Sequence, residues 1–137
     1  MRKRHVENNL PRIIVGVVVR GSDVLLVRRR ASEQSLRWQF PGGQLEPGEA
    51  PGGAVEREVC EETGVVCTAS RRLGSRLHPV TRREVEYWLC TWQGGEPVVR
   101  DSEELDRVEW VGADEVESRI TSGVFKPVLD ELSTLTP

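Results

Sequence analysis

Apolar and β-branched residues fall in short runs along the chain, and Gly or Pro separates most of these runs. The run 13–20 predicts a buried strand, and 24–28 predicts a second strand that forms a hairpin with it across the turn 21–23. Further strands are predicted at 38–40, 65–69, 71–77, 84–92 and 108–111. Helices are predicted at 51–63, 113–119 and 124–135.

The order of these elements indicates the class of fold. Strands outnumber helices and do not simply alternate with them, which is typical of an α+β layer fold. A chain of 137 residues is predicted to form one domain with a proper core. Residues 31–37 read as a polar loop. The charges at residues 2–5 are not followed by the apolar stretch of a secretion signal, and residues 1–10 are predicted to be a flexible basic tail.

Composition excludes several functional classes. The formal net charge is −3, so no nucleic-acid partner is expected. No apolar run approaches the 18 residues or so of a membrane span, so no membrane association is expected either. Cys60, Cys67 and Cys90 form neither a metal motif nor a disulfide framework. They predict a reducing compartment and a cytoplasmic protein.

The segment 43–65 carries the strongest chemical signal. Gly and Pro crowd its first half, and its second half is a Glu-rich helix that stops at a glycine. At about 100° per residue, Glu58, Glu61 and Glu62 share one face of this helix. That face borders Val55 and Val59, which are expected to point into the core.

Three like charges on one helix face repel one another, and a cation would remove the conflict. Oxygen donors without Cys or His suit Mg²⁺, with Mn²⁺ as a substitute, rather than Zn²⁺. Mg²⁺ commonly pairs one or two carboxylates with substrate phosphates, so the cluster predicts phosphate chemistry. A solvated acidic helix face is the alternative interpretation of the same residues.

The complete spacing of the segment resembles the Nudix box, the signature of hydrolases that act on a nucleoside diphosphate linked to another group. Its fixed positions are all present: Gly43, Glu49, Arg57, Glu58, Val59, Glu61, Glu62, Gly64 and Val65. The resemblance implies one Nudix domain over residues 1–137. It also implies a mixed β-sheet between helices in an α/β/α sandwich, as a monomer or homodimer.

The resemblance to the MutT-like branch implies a small nucleotide substrate. The expected reaction is Mg²⁺-dependent hydrolysis of a nucleoside triphosphate, unmodified or oxidised, to a nucleoside monophosphate and pyrophosphate. ADP-ribose or a dinucleotide polyphosphate is the rival substrate, because Pro79 lies near the position of a proline that marks the ADP-ribose branch. A non-catalytic nucleotide-sensing module is a third alternative, which the intact box carboxylates disfavour.

The resemblance also implies roles for individual residues. The metal would be held by Gly42 through its carbonyl, Glu58, Glu61, Glu62 and Glu104. Glu58 or Glu104 would act as general base, with Glu61 at the catalytic metal. Arg57 would orient a carboxylate by an ion pair, and Glu49 would support the helix and its ligands.

Residues outside the box have open alternatives. Arg28 either contacts substrate phosphates or is a solvated strand end. Glu104, six residues before Trp110, is preferred over Glu103 as the distal acid. Phe40 is expected to be buried beside the box at the substrate pocket. His78 either contacts the substrate or is an ordinary turn histidine.

Overall fold

The computed structural model describes residues 10–30 and 36–135. Within them, seven strands form one sheet: β1 Ile13–Arg20, β2 Asp23–Arg30, β3 Leu36–Gln39, β4 Gly42–Gln44, β5 Val66–Leu77, β6 Glu84–Gly94 and β7 Leu105–Gly112. Helix α1 (Pro51–Thr63) connects β4 to β5. After β7, a 3₁₀ turn at Ala113–Glu115 leads into the short helices α2 (Val116–Arg119) and α3 (Lys126–Leu132).

The sheet is mixed and β1 lies at its centre. The strand order is β3-β2-β1-β6-β5, with β4 paired to β1 and β7 paired to β2. β1 and β6 run parallel, and the other pairs are antiparallel. The hairpin partner β2 pairs only with the end of β1, at Val19 and Arg20. The start of β1 is therefore open to β4, which brings the residues before α1 onto the sheet.

Alternation along β1 separates two apolar layers. Ile14 and Val18 pack with Val55 and Val59 of α1 on one face of the sheet. Val17 and the residues on its side pack against the C-terminal helices on the other face. All of these side chains are buried. The predicted α/β/α sandwich with a mixed sheet is confirmed, and so is the core-facing orientation of Val55 and Val59.

Two glycines permit the close approach of backbone to neighbouring groups. A Cβ on Gly16 would lie 3.0 Å from Cγ1 of Val55, so a larger residue there would press against the side chains of α1. A Cβ on Gly42 would lie 2.1 Å from the backbone oxygen of Ile14, which cannot move away without breaking the strand pairing. These contacts set the distances from β1 to α1 and to the residues that precede it.

Several element boundaries differ from the sequence predictions. The bounds of β1 and α1 agree, but the predicted strands 65–69 and 71–77 are one strand, β5. Its register shifts between Ala69 and Arg71 and between Arg72 and Gly74, because bulges let a strand bend without ending. β4 was not predicted, since Gly-Gly-Gln has little strand propensity and pairs only because β1 offers an open edge.

The C-terminal helices are shorter than the predicted 113–119 and 124–135. The first begins as a 3₁₀ turn, and the second ends at Leu132, followed by a turn. Leu36 and Arg37 of the predicted polar loop belong to β3, while residues 31–35 lie outside the described residues. The predicted basic tail lies outside them too, except for Leu10. No helix in the described part of the chain is long and apolar enough to cross a membrane.

Gly42→Ala is expected to destabilise the protein by about 2 kcal/mol or more, because its methyl group would overlap backbone atoms. Gly53→Ala is the matched control. Gly53 is exposed in α1 with open space around it, so Ala should stabilise the helix by up to about 1 kcal/mol. Urea unfolding of both variants measures the two effects. A Gly42→Ala protein as stable as the wild type would contradict the close approach.

Candidate functional site

A cleft of about 650 Å³ opens beside the start of β1, and β4, β6 and the segment after α2 also line it. Its apolar lining includes Ile13, Val15, Phe40, Val85, Tyr87, Ile120 and Val124. Its acidic residues are Glu46, Glu58, Glu62, Asp101 and Glu104. Its basic residues are Arg29, Arg37, Arg76 and Arg83, together with His78. The cleft therefore joins the box carboxylates to an apolar surface and a group of arginines.

Glu62 is a buried carboxylate at the junction of three elements. The backbone N–H of Gly42 donates to its Oε1 at 3.2 Å, and Nη2 of Arg29 donates to its Oε2 at 2.8 Å. Burial raises the pKa of the Glu62 carboxyl to about 7, although the charge of Arg29 and the Gly42 N–H act in the opposite direction. The two hydrogen bonds thus hold the side chain without fully compensating its charge.

Glu58 lies directly over the backbone of Gly43. A Cβ on Gly43 would be 2.3 Å from Oε1 of Glu58, so a larger residue there would displace this carboxylate. Burial raises the pKa of the Glu58 carboxyl, and the charge of Arg57 partly offsets that rise. The observed position of the Glu58 carboxylate therefore depends on the glycine at the start of the box.

Arg57 binds three carboxylates of the box. Its Nε and Nη2 donate to Glu49 at 2.6 and 2.9 Å, and its Nη1 donates to Glu58 at 3.1 Å and to Glu61 at 3.2 Å. The Arg57 hydrogen bonds lower the pKa of the Glu49 carboxyl. Glu61 is largely exposed and does not line the cleft in this arrangement. Arg57 thus offsets the like-charge repulsion on the helix face.

The donor set fits a divalent cation that prefers oxygen ligands. Glu58 and Glu62 line one cleft with Gly42, and their raised pKa values reflect negative charge in a partly desolvated place. Among residues 10–30 and 36–135, no three His, Cys, Asp or Glu side chains are already gathered as a metal site. In this arrangement Arg57 and Arg29 donate hydrogen bonds to the carboxylates of Glu58 and Glu62.

Of the two adjacent acids after β6, the structure places Glu104 at the cleft and leaves Glu103 outside its lining. The Glu104 carboxylate forms an ion pair with Nη1 of Arg29. The N–H of Arg30 donates to the Glu104 carbonyl at 2.9 Å, which anchors this loop to β2. Arg29 therefore bridges Glu62 of the helix and Glu104 of the loop.

Arg28 does not line the cleft. Its Nε and Nη2 form a two-pronged contact with Asp106 at 2.9 and 2.8 Å, and its guanidinium lies over the Trp38 ring. Arg29 lies at the cleft instead, because successive residues of a strand point to opposite faces. The preceding apolar run 24–27 has no polar position to mark its faces, so the sequence did not reveal which arginine points inward.

The structure places both predicted pocket residues, Phe40 and His78, at the cleft. Phe40 is buried and meets the Tyr87 ring edge-on, with centroids 6.4 Å apart. Nδ1 of His78 accepts hydrogen bonds from the N–H groups of Val80 and Thr81, at 3.1 and 3.3 Å. His78 is thus a turn-stabilising residue that also faces the cleft, so its two alternatives are compatible.

Several cleft residues were missed by the sequence reasoning. Arg37, Arg76, Arg83 and Tyr87 come from β3, β5, the loop before β6, and β6. They are far apart along the chain and match no local motif. Only the pairing of β5 with β6 and of β2 with β3 brings them to one cleft.

The sequence profile of the NUDIX domain family matches residues 10–131. A protein from Streptomyces ambofaciens named "MutT-like protein" is 36% identical over 124 residues, covering 90% of this chain and 78% of the relative. A Mycobacterium tuberculosis protein named "Putative 8-oxo-dGTP diphosphatase 2" is 32% identical over 114 residues, covering 74% and 81%. A structure titled as an ADP-ribose pyrophosphatase from Streptococcus suis superposes with TM-score 0.69 at 20% identity, covering 89% and 88%.

The raised pKa of Glu62 has a consequence for stability. The folded protein holds this proton up to about pH 7, whereas the ordinary value is 4.5, so Glu62 makes folding less favourable as pH rises between these values. Without added metal, Glu62→Gln should therefore gain stability relative to the wild type from pH 5 to pH 8, by on the order of 2–3 kcal/mol. Urea unfolding across this range, with EDTA present, measures the difference. Parallel profiles of the two proteins would refute the shift.

Proposed function

This chain belongs to the NUDIX domain family, and from that premise we propose that it is a Mg²⁺-dependent pyrophosphohydrolase of nucleoside triphosphates, unmodified or oxidised. Its products would be a nucleoside monophosphate and pyrophosphate. The observation that carries this proposal is the convergence of Glu58, Glu62 and Glu104 on one cleft with Arg29. Hydrolase activity follows from the family and its named relatives.

The names of two relatives support the class of substrate. Both the MutT-like protein and the putative 8-oxo-dGTP diphosphatase align over most of this chain at more than 30% identity. The similar fold of the ADP-ribose pyrophosphatase, at 20% identity, is evidence for architecture alone. We therefore favour a nucleoside triphosphate as the substrate, and ADP-ribose is included among the compounds tested.

Carboxylates and a carbonyl would hold the metal: Gly42, Glu58, Glu61, Glu62 and Glu104. When bound, Mg²⁺ or Mn²⁺ would neutralise charge on the phosphate oxygens and lower the pKa of water. The side chains of this site are close enough to sense one another, since the charge of Glu61 raises the pKa of Glu58 and the charge of Glu58 raises that of Glu62. Partly desolvated carboxylates of this kind are suited to a cation.

The protein groups divide the remaining work. Glu58 has room above Gly43 and is held by Arg57 beside it, and burial raises its pKa, which makes the carboxylate a better proton acceptor. Glu104 is the alternative base. Arg57 positions the helix carboxylates and does not line the cleft. We assign the phosphate-anchoring role expected of Arg28 to Arg29, whose guanidinium lies in the cleft.

A nucleotide panel tests the proposal. dGTP, 8-oxo-dGTP, ADP-ribose and a dinucleoside tetraphosphate are incubated with the protein and Mg²⁺, and the products are separated by ion-exchange chromatography. Nucleoside monophosphate with pyrophosphate is the expected result. If the products are AMP and ribose 5-phosphate, the substrate is ADP-ribose and not a nucleoside triphosphate. Tight nucleotide binding with no turnover would identify a sensing module instead.

Glu61→Gln and Glu62→Gln should each lower kcat by several orders of magnitude, since each removes a proposed ligand of a cation worth several kcal/mol to the transition state. Both should fold, because each removes one charge from a repulsive cluster. Glu117→Gln, on the exposed surface of α2, is the control for loss of a carboxylate. Steady-state rates at saturating Mg²⁺ are compared. Near-normal turnover by both variants would mean that the metal site is misassigned.

Glu104→Gln is expected to depress kcat far more than Glu103→Gln, because only Glu104 lines the cleft. Its effect on KM should be smaller, since a base or metal ligand contributes most in the transition state. Steady-state kinetics of both variants on the best substrate separate the two acids. Equal and mild losses would show that the helix carboxylates act without this loop.

A further inference from the structure

Three arginines of the cleft have no acidic partner in the part of the chain that the structure describes. Arg37, Arg76 and Arg83 all line it, and within the described residues none lies within ion-pair distance of an Asp or Glu. Arg29, in the same cleft, is paired with Glu62 and Glu104. Among the residues that the structure describes, the cleft thus contains one arginine compensated by acids and three that are not.

Strand pairing brings these three arginines, the arginine cluster, to one place. Arg76 lies opposite Val85 across the β5–β6 pair. The N–H of His78 donates to the Arg83 carbonyl at 2.8 Å, so Arg83 closes the same hairpin. Burial lowers the pKa of His78, and the charges of Arg76 and Arg37 lower it further, so both guanidiniums lie within electrostatic range of the imidazole. Three segments therefore direct positive charge at one region of the cleft.

Neutral groups hold two of these side chains. Nε of Arg76 donates to the Tyr87 hydroxyl at 3.1 Å and Nη2 donates to the Gly123 carbonyl at 3.3 Å, while the guanidinium lies over the Tyr87 and Phe125 rings. Nη2 of Arg83 donates to the Pro11 carbonyl at 2.7 Å, and its Nε is buried and has no hydrogen-bond partner within 10–30 and 36–135. These contacts orient the two guanidiniums but leave charge and donors unused. A buried N–H without an acceptor is costly.

We propose that the arginine cluster binds a phosphate group of the substrate that is separate from the phosphates beside the box carboxylates. This inference rests on the proposed function and adds to it a requirement for a further anionic group. Guanidinium forks match phosphate oxygens with paired hydrogen bonds. A neutral sugar or base alone would leave the three charges uncompensated. The group is either the terminal phosphate of a nucleoside triphosphate or a phosphate on the moiety beyond the diphosphate.

Kinetics with substrates that differ by one phosphate test the inference. The steady-state kinetics are measured on GTP, GDP and 5-phosphoribosyl diphosphate for the variants Arg37→Gln, Arg76→Gln and Arg83→Gln. The control is Arg82→Gln, because Arg82 is exposed and adjoins Arg83 but does not line the cleft. KM should rise about tenfold on GTP and less than twofold on GDP if the terminal phosphate is bound. A rise in KM confined to 5-phosphoribosyl diphosphate would mean that the arginine cluster binds a phosphate on the moiety beyond the diphosphate instead. Equal rises on all three compounds, or none, would overturn the inference.

Binding without turnover separates this inference from the proposed function. Inorganic pyrophosphate is titrated calorimetrically in EDTA, so that no metal holds phosphate at the box carboxylates. Arg76→Gln and Arg83→Gln should weaken binding at least fivefold, Arg76→Lys should recover part of the Arg76 loss, and Arg82→Gln should match the wild type. Equal affinities in all these proteins would overturn the inference even if nucleotides are hydrolysed. Thermal unfolding of each variant identifies any loss that comes from misfolding.

Discussion

The buried carboxylate of Glu62 links the elements that make up the site. It accepts a hydrogen bond from Gly42 on β4 and another from Arg29 on β2, so one helix residue connects α1 to two strands. Burying an ionised carboxylate is unfavourable unless such partners are present. The positions of α1, of β4 and of the inward-pointing arginine are therefore interdependent. A change in any of them leaves a buried charge without its partners.

The same electrostatic problem explains how a cluster of acids can belong to a folded helix. Glu58, Glu61 and Glu62 repel one another, and two arginines supply the compensation: Arg57 on the helix and Arg29 on the sheet. The compensation is incomplete, because burial still raises the pKa of Glu58 and Glu62. A binding cation would use this residual charge, and its affinity would add to the stability of the fold.

The charge of the cleft follows from the sheet topology. β2 pairs with the end of β1 and β4 pairs with its start. The cleft therefore lies beside the first residues of β1. Across the β2–β3 pair, Arg29 lies opposite Arg37, and among the described residues glutamates neutralise Arg29 but not Arg37. Anionic substrates can therefore meet compensated and uncompensated positive charge within a single cavity. Such a distribution suits a ligand that carries its own negative charge at more than one point.

Local features of the chain determined the family resemblance, the class of fold and the helix 51–63 with its buried face, because periodicity and capping act between near neighbours. The spacing of the box carboxylates was also readable from the sequence. The choice of Arg29 over Arg28 was not, since the uniformly apolar run before them does not mark the two faces of β2. The arginine cluster was equally hidden, because Arg76 and Arg83 meet Arg37 only through strand pairing between distant segments, which tertiary structure alone decides.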